Sequence, residues 1–416
     1  MYSTVSKPAP SGLFGVSGPA MTDDVPRRRA EPATLPAESP AIELAVVIPT
    51  FNEVGNYEEL IRRLFRVLDG IEWEAVFVDD DSPDGTAERL HALSLRYPRI
   101  RCLRRVGRRG LASACVEGML ATGAPCLAVM DADLQHDEAL LPQMLQVLRG
   151  DGADLVVGTR YMEGGDVGDW QPARRRISGL ATSLSQWLLG LRLRDPMSGF
   201  FMIRRSAFEA AVYRLSSIGF KILVDLVVSS PQPLRVTELP YQFRDRQAGH
   251  SKLDNRVAWD YLMLLADKTI GRWVPTRLVS FACIGAFGVL VHLCVLWLAM
   301  GWTGNRFVTA QSTAVAVAML GNFMLNNALT YRDQRLAGWP WLAGLLKFMA
   351  ACSVGAAANV GVASYLHGSQ GDWLLPSLAG ILVGTVWNYG ATAYLVWVKP
   401  RSARPAAVRQ PSVALK

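Results

Sequence analysis

No two cysteines in this chain are spaced C-x-x-C. The six present (Cys102, Cys115, Cys126, Cys283, Cys294 and Cys352) include three in apolar stretches. They read as reduced residues of a cytosolic or intramembrane setting, which excludes a disulfide or zinc framework. Charge is also scarce: 19% of the 416 residues are charged against 50% hydrophobic, unusually apolar for a soluble protein. No basic stretch interleaved with aromatics and no zinc-finger spacing occurs, so the formal charge of +7 does not mark a nucleic-acid binder. The basic residues cluster beside apolar runs, where anionic headgroups and a phosphorylated ligand account for them better. The apolar patch Leu13 to Val16 is too short for a signal-peptide core, so secretion is not implied.

The scarcity of charge is uneven. Residues 1–41 are rich in Pro, Ala and Ser, carry Arg27, Arg28 and Arg29, and read as a disordered tail. Residues 42–253 have an ordinary globular composition. Here short apolar runs alternate with helical patterns: LAVVIPT, Tyr57 to Leu68, EAVFVDD, Thr86 to Leu95, IRCL, Ala112 to Ala121, CLAVMDAD and DLVVGTR. Continuous apolar runs, each followed by an amphipathic segment, predict βαβ units and an α/β fold with a mostly parallel sheet covered on both faces. Ligands of such sheets sit at the carboxyl ends of the strands.

From about Arg277 charged residues nearly vanish. Four stretches, about Leu278 to Met300, Phe307 to Leu329, Trp341 to Leu366 and Trp373 to Val398, each exceed the roughly 20 residues that cross a hydrocarbon core. They predict an all-α four-helix transmembrane domain over 277–399, followed by a basic tail over 400–416. Lys347 sits near the start of the third stretch, where it can snorkel. Arg272 and Arg277, Arg332 and Arg335, and Lys399, Arg401, Arg404 and Arg409 lie on one side. Arg306, and His367 with Asp372, lie on the other, so the positive-inside rule puts both termini and the globular half in the cytoplasm. Between the halves, 254–276 mixes Trp259, Tyr261, Leu264, Leu265 and Trp273 with Arg256, Asp267, Lys268 and Arg272, the pattern of interfacial helices.

The strand ends carry the chemistry. Asp131-Ala132-Asp133-Leu134-Gln135 follows the strand CLAVM. Carboxylates at i and i+2 of an extended segment face the same side, so Asp131 and Asp133 can share a cation, with Gln135 as a neutral oxygen ligand. Oxygen-only ligands suit Mg²⁺ or Mn²⁺. Phe51 and Glu53 after the first strand, and Asp80 after the second, are a ring face and carboxylates of the kind a nucleoside needs. Ser82 or Asp84 is expected to cap the next helix, which leaves Asp80 unoccupied.

In order, PTFNE, VDDDSPDGT, DADLQH, GTRY, DPMSGF and RDRQAGHSK resemble the dolichyl-phosphate (polyprenyl-phosphate) mannose synthase branch of family 2 glycosyltransferases, over about Leu44 to Leu253. Gly321-Asn322-Phe323 and Asn326-Asn327 resemble GtrA-type four-helix domains. The resemblance implies a GT-A fold and assigns Pro49, Phe51, Glu53, Val78, Asp80 and Asp131 to the donor nucleotide. It assigns Asp131, Asp133 and Gln135 to the metal, and Arg160, Arg174, Ser178, Arg246 and Lys252 to the acceptor phosphate. Arg246 rather than Arg244 keeps the R-x-x-G-x-S-K spacing. His136-Asp137 departs from relatives that carry a proline there. Met162 to Asp169, with Gly164, Gly165 and Gly168, is a candidate lid.

The implied reaction is inverting transfer of mannose from GDP-mannose to a polyprenyl phosphate at a membrane, with Asp131, Asp133 and Arg160 at its centre. The acceptor phosphate is already anionic, so no strong general base is required, and His136 reads as helix-start packing rather than a base. A UDP-sugar donor such as UDP-glucose is the alternative within the same fold. A non-catalytic scaffold or lipid-sugar transporter is the alternative outside it, against which the intact Asp131, Asp133, Gln135 and Arg246 argue.

Overall fold

The computed structural model describes residues 41–164, 172–191, 193–216, 219–244, 255–302, 307–370 and 374–397. The first half alternates strands and helices as expected. β1 (Leu44–Thr50), α1 (Tyr57–Val67), β2 (Trp73–Asp79), α2 (Thr86–Ser94), β3 (Ile100–Arg104), α3 (Leu111–Leu120), β4 (Cys126–Val129), α4 (Leu141–Arg149) and β5 (Leu155–Thr159) follow one another. Then come α5 (Pro172–Leu189), β6 (Phe201–Arg204), α6 (Arg205–Val212), α7 (Ile222–Ser229) and β7 (Val236–Pro240).

The seven strands form one sheet in the order β3-β2-β1-β4-β6-β5-β7. All pairings are parallel except those of β6, which runs antiparallel between β4 and β5. β6 and β7 are the two strands that the apolar runs did not reveal. β6 is only four residues long, and β7 is half-buried throughout, so neither makes a conspicuous hydrophobic run.

Alternation along the strands sends side chains to two cores. Leu44, Val46, Ile48 and Phe77 pack with Leu60 and Leu64 of α1 and Leu145 of α4. Ala45, Val47, Val76 and Val78 face Met119 of α3, Phe208 of α6 and Leu223 of α7. Gly118 lets α3 lie directly on the sheet, since a Cβ there would overlap Val47 and Val78. All six cysteines are free thiols.

The second half is helical: α8 (Asn255–Ile270), α9 (Thr276–Trp302), α10 (Phe307–Leu325), α11 (Trp339–Gln370) and α12 (Leu374–Leu395). A π-type turn, Asn326–Thr330, extends α10. Among the described residues, Thr276–Gly301 and Trp339–Ala358 are long and apolar enough to cross a membrane on their own. α10 and α12 pack along α9 and α11 respectively as antiparallel hairpins.

The interfacial stretch forms one described helix, and its apolar face does not wait for lipid. Tyr261, Leu264 and Leu265 are buried against Leu191, Met197 and Val224 of the first half. Tyr261 Oη donates to Ala181 O of α5 at 2.9 Å. Lys268 Nζ lies 2.6 Å from Asp225 Oδ1 of α7. The large apolar residues that α8 leaves exposed are Leu262, Ile270 and, just beyond it, Trp273. One turn before Leu264, the buried Asp260 accepts from Arg332, in the turn between α10 and α11, at 2.6 Å to each carboxylate oxygen.

Candidate active site

Three described non-glycine residues have positive φ: Asn52 at 58°, Asp81 at 59° and Leu134 at 63°. Each follows the carboxyl end of a strand, β1, β2 and β4 respectively, and β2-β1-β4 are neighbours in the sheet. Left-handed backbone is unfavourable for a buried leucine, so such residues persist only where surrounding contacts enforce them. They pick out one sheet edge as the place where left-handed backbone gathers, the kind of place where functional sites cluster.

Polar contacts lock that edge. Asp79 is fully buried. It accepts from Ser82 N at 2.8 Å and Ser82 Oγ at 2.6 Å, and Ser82 Oγ accepts in turn from Asn52 N at 3.0 Å. Asp84 Oδ1 accepts from Thr86 N and Oγ1, while its Oδ2 accepts from Val54 N. Gly85 rather than Ser82 or Asp84 occupies the N-cap position of α2, at φ 86°. The motif thus ties β1 to β2 as well as starting a helix.

Asp80 is not left open as expected. Its Oδ1 accepts from Arg105 Nη1 at 2.8 Å and its Oδ2 from Gly110 N at 2.7 Å. Arg105 is itself buried and also donates to Ser113 Oγ at 2.7 Å. Burial raises the Asp80 carboxyl pKa, against the pull of the Gly110 N–H and Arg105. Asp80 therefore anchors the β3–α3 loop, which carries Arg109 over the Phe51 ring at 4.4 Å. Glu53 Oε2 accepts from Asn56 Nδ2 at 2.8 Å. Val78 is fully buried beneath α3, so only its backbone is available to a ligand. Pro49 pairs with it across the β1–β2 ladder.

After β4 the chain bends instead of remaining extended, so the two carboxylates are not arranged as i and i+2 on a strand. The His136 ring causes the bend to hold: its Nδ1 accepts from Asp131 N at 3.1 Å. The ring is buried, stacked on Phe200 at 5.2 Å and edge-on to Tyr241 and Phe243. Burial pushes the His136 pKa down to about 4, so the imidazole is neutral and its Nδ1 is engaged as an acceptor. The Asp131 side chain stays 37% exposed while Asp133 is buried. Gln135 N donates to Asp133 Oδ1 at 3.2 Å, and Gln135 Nε2 donates to Arg244 O at 3.1 Å. A Cβ on Gly199 would lie 3.2 Å from Asp131 Oδ2, so the glycine keeps that carboxylate accessible.

Arg160 lies under the same edge in a two-pronged pair with Asp195: Nε to Oδ2 at 2.7 Å and Nη2 to Oδ1 at 2.8 Å, both residues buried. Burial works against the Arg160 charge, but the Asp195 carboxylate raises its pKa overall. Phe243 flanks the guanidinium at 5.3 Å. Tyr241, whose hydroxyl is buried without a hydrogen-bond partner, completes the wall. Arg244 is committed to Asp137 and Glu138 at 2.6 Å each. Arg246, Lys252 and the lid segment beyond Gly164 lie outside the described residues, and Arg174 and Ser178 lie on α5 with side chains outside them.

Asp195, Ser198, Gly199 and Phe200 belong to the DPMSGF motif, which sequence reasoning used only for the resemblance. The structure gives each a task at the site, with Ser198 Oγ donating to Gly158 O at 2.7 Å. For a cation, the described residues contain no cluster of three or more His, Cys, Asp or Glu. Asp131, Asp133 and the Gln135 amide offer oxygen donors alone, the donor type that a hard divalent cation such as Mg²⁺ or Mn²⁺ takes.

The family model described as Glycosyl transferase family 2 matches residues 45–211, and the one described as GtrA/DPMS, transmembrane domain matches residues 280–397. The chain is similar to the dolichol-phosphate mannosyltransferase of Pyrococcus furiosus, with 34% identity over 86% of this chain and 99% of that one. It is also similar to the enzyme of the same name from Saccharomyces cerevisiae, with 34% identity over 58% of this chain and 92% of that one. The undecaprenyl-phosphate mannosyltransferase of Micrococcus luteus is 30% identical over 56% of this chain and 94% of its own.

Proposed function

From the premise that the chain belongs to the dolichol-phosphate mannosyltransferase branch of family 2 glycosyltransferases and is a membrane protein, we propose that it transfers mannose from GDP-mannose to a polyprenyl phosphate with inversion. The observation that supports this best is convergence. Phe51 and Glu53, the Asp80 loop anchor, the Asp131–Gln135 oxygens and Arg160 meet at one strained sheet edge.

In this reading the donor's base lies at Phe51, and Asp131, Asp133 and Gln135 hold a divalent cation. When bound, that cation neutralises charge building on the departing diphosphate. The chain's residues do the rest. His136 and Gly199 fix and clear Asp131, and Asp195 holds the Arg160 guanidinium in one orientation towards the site. Arg174, Ser178, Arg246 and Lys252 complete an anion site for the acceptor. The acceptor oxygen is already anionic, and His136, neutral with Nδ1 occupied, takes no proton from it. α9 to α12 cross the membrane four times with the transferase half on the cytoplasmic side.

The test is transfer of radiolabel in membranes from GDP-mannose, UDP-glucose and UDP-N-acetylglucosamine in turn, with Mg²⁺ or Mn²⁺ and with EDTA. Chloroform-soluble, EDTA-sensitive label from GDP-mannose alone is the expected result. Label from a UDP-sugar only would overturn the donor, and no lipid product from any donor would overturn the reaction.

A further inference from the structure

The membrane half is an internal repeat. Asn322-Phe323 on α10 recurs as Asn388-Tyr389 on α12, and Phe281 and Gly288 on α9 recur as Phe348 and Gly355 on α11. The contacts repeat with the residues. A Cβ on Gly288 would overlap the Asn322 side chain, and one on Gly355 would overlap that of Asn388. Asn326 Nδ2 donates to Asn322 O at 2.9 Å, and Thr392 Oγ1 donates to Asn388 O at 2.6 Å. Phe281 meets Tyr389 at 5.8 Å, and its counterpart Phe348 meets Phe323 at 5.6 Å. The counterparts Tyr331 and Trp397 stack on each other at 4.1 Å and 4°. α9–α10 and α11–α12 are thus two copies of one hairpin, related as parallel repeats about an axis that passes between them.

Copies that agree this closely make their differences informative. In the first hairpin Ser280 bonds Thr330 across a buried 2.7 Å contact, with Ile284 one turn on and Leu325 on the partner helix. At the matching positions the second hairpin has Lys347, Ala351 and Ala391. Where the two alanines replace Ile284 and Leu325, a cleft of about 300 Å³ lies between α11 and α12, lined by Lys347, Ala351, Val354, Trp387, Ala391 and Leu395. Trp387 Nε1 donates to Ala351 O at 3.2 Å and pins one wall.

We propose that this cleft docks the hydrocarbon chain of the polyprenyl phosphate acceptor, with Lys347 drawing the phosphate towards the transferase half. The occupant follows from size, charge and position. A cleft of about 300 Å³ takes a segment of one chain, and its lining carries one cation, which matches a lipid with one chain and one phosphate better than a two-tailed phospholipid. Lys347 lies eight residues, about 12 Å, along α11 from Trp339, within reach of the headgroup layer by snorkelling. α11 also starts beside Arg332, which grips Asp260 of α8, the helix packed on the transferase half, so the cation lies at the end of the cleft nearer the active site. The inference rests on the proposed reaction for the identity of the lipid.

The test uses full-length protein in nanodiscs and borrows the first hairpin's residues: Lys347→Ser, Ala351→Ile and Ala391→Leu, singly and together. The triple variant is expected to raise the acceptor KM roughly tenfold, equivalent to about 1.4 kcal/mol of binding, with the donor KM and thermal unfolding unchanged. A photoreactive polyprenyl phosphate should label α11 and α12 peptides in the wild type and lose that label in the triple variant. An unchanged acceptor KM overturns the proposal, as does labelling confined to α8, α9 or α10. So does displacement of co-purified phospholipid with no change in acceptor kinetics. Labelling needs no turnover, so a wild type that labels at the cleft yet makes no product would refute the transferase reading and keep the docking site.

Discussion

The two halves of this molecule carry their polar groups differently. The transferase half gathers buried charges at one sheet edge and pairs each of them: Asp79 with Ser82, Asp80 with Arg105, Asp195 with Arg160. The membrane half has few charges and spends its polarity on asparagine and threonine side chains that return to their own helix or press into a glycine of the neighbour. In the first half, polar residues build a site. In the second they mostly fix helix packing, the usual role of such side chains between membrane helices.

The contrast is tested most sharply at Asp133. If the transferase edge is a site, Asp133→Ala should cut lipid-linked product at least about 10²-fold, more than loss of a supporting residue around a metal. Its thermal unfolding should stay near that of the wild type. A variant that unfolds but, where folded, still transfers would make Asp133 a packing residue and erase the difference between the halves.

Next in size is Asp195→Ala. It strands the buried Arg160 guanidinium, and breaking a buried pair in this way costs about 3–5 kcal/mol. Denaturant unfolding of the purified protein should show it, with Asp195→Asn milder because the amide oxygen still accepts one of the two bonds. Equal effects from both substitutions would mean that charge, and not hydrogen bonding, holds the pair.

The membrane half offers the matching test of its own logic. Gly288→Leu and Gly355→Leu both drive a side chain into the partner asparagine and should each destabilise by about 1–3 kcal/mol, as overpacking does. Gly285→Leu, where space is open, should be close to neutral. If Gly288 and Gly355 differ widely from each other, the two hairpins are not energetic equivalents, whatever their contacts.

The sequence made the two halves unequally legible for a physical reason. Strand-end motifs need particular residues at particular positions, so PTFNE, VDDDSPDGT and DADLQ could be placed at one edge before any coordinates. Two readings there failed because a strand end was taken as an extended strand or an open surface. Asp131 and Asp133 lie on a bend held by His136, and Asp80 is engaged by Arg105, a partner 25 residues away. β6 stayed hidden because three buried residues and an arginine make no period, yet it brings Phe200 under His136 and Gly199 beside Asp131. The helices of the second half were plain from hydropathy. Their repeat was not, because Asn322 and Asn388 share a role through contacts that short, diverged words do not display. α8 has the composition of an interfacial helix, and which of its apolar residues pack on protein cannot be told from composition when protein and lipid are equally apolar.

The smallest effect belongs to the junction between the halves. Arg332 is half exposed, so water and salt weaken its pair with Asp260, and Arg332→Ala should cost no more than about 1 kcal/mol. The informative quantity is the coupling between the partners. A double-mutant cycle with Asp260→Asn, read by unfolding in detergent at low and high salt, isolates it from the packing of α8. Coupling of a few tenths of a kcal/mol that fades with salt would mean that the halves are joined mainly by the apolar face of α8, with Tyr261, Leu264 and Leu265 as the fixed hinge pin. Salt-resistant coupling of about 3 kcal/mol would make Arg332 a buried-type clamp instead. The charged pairing that distinguishes the transferase half would then extend into the membrane half at the one turn that links the two hairpins.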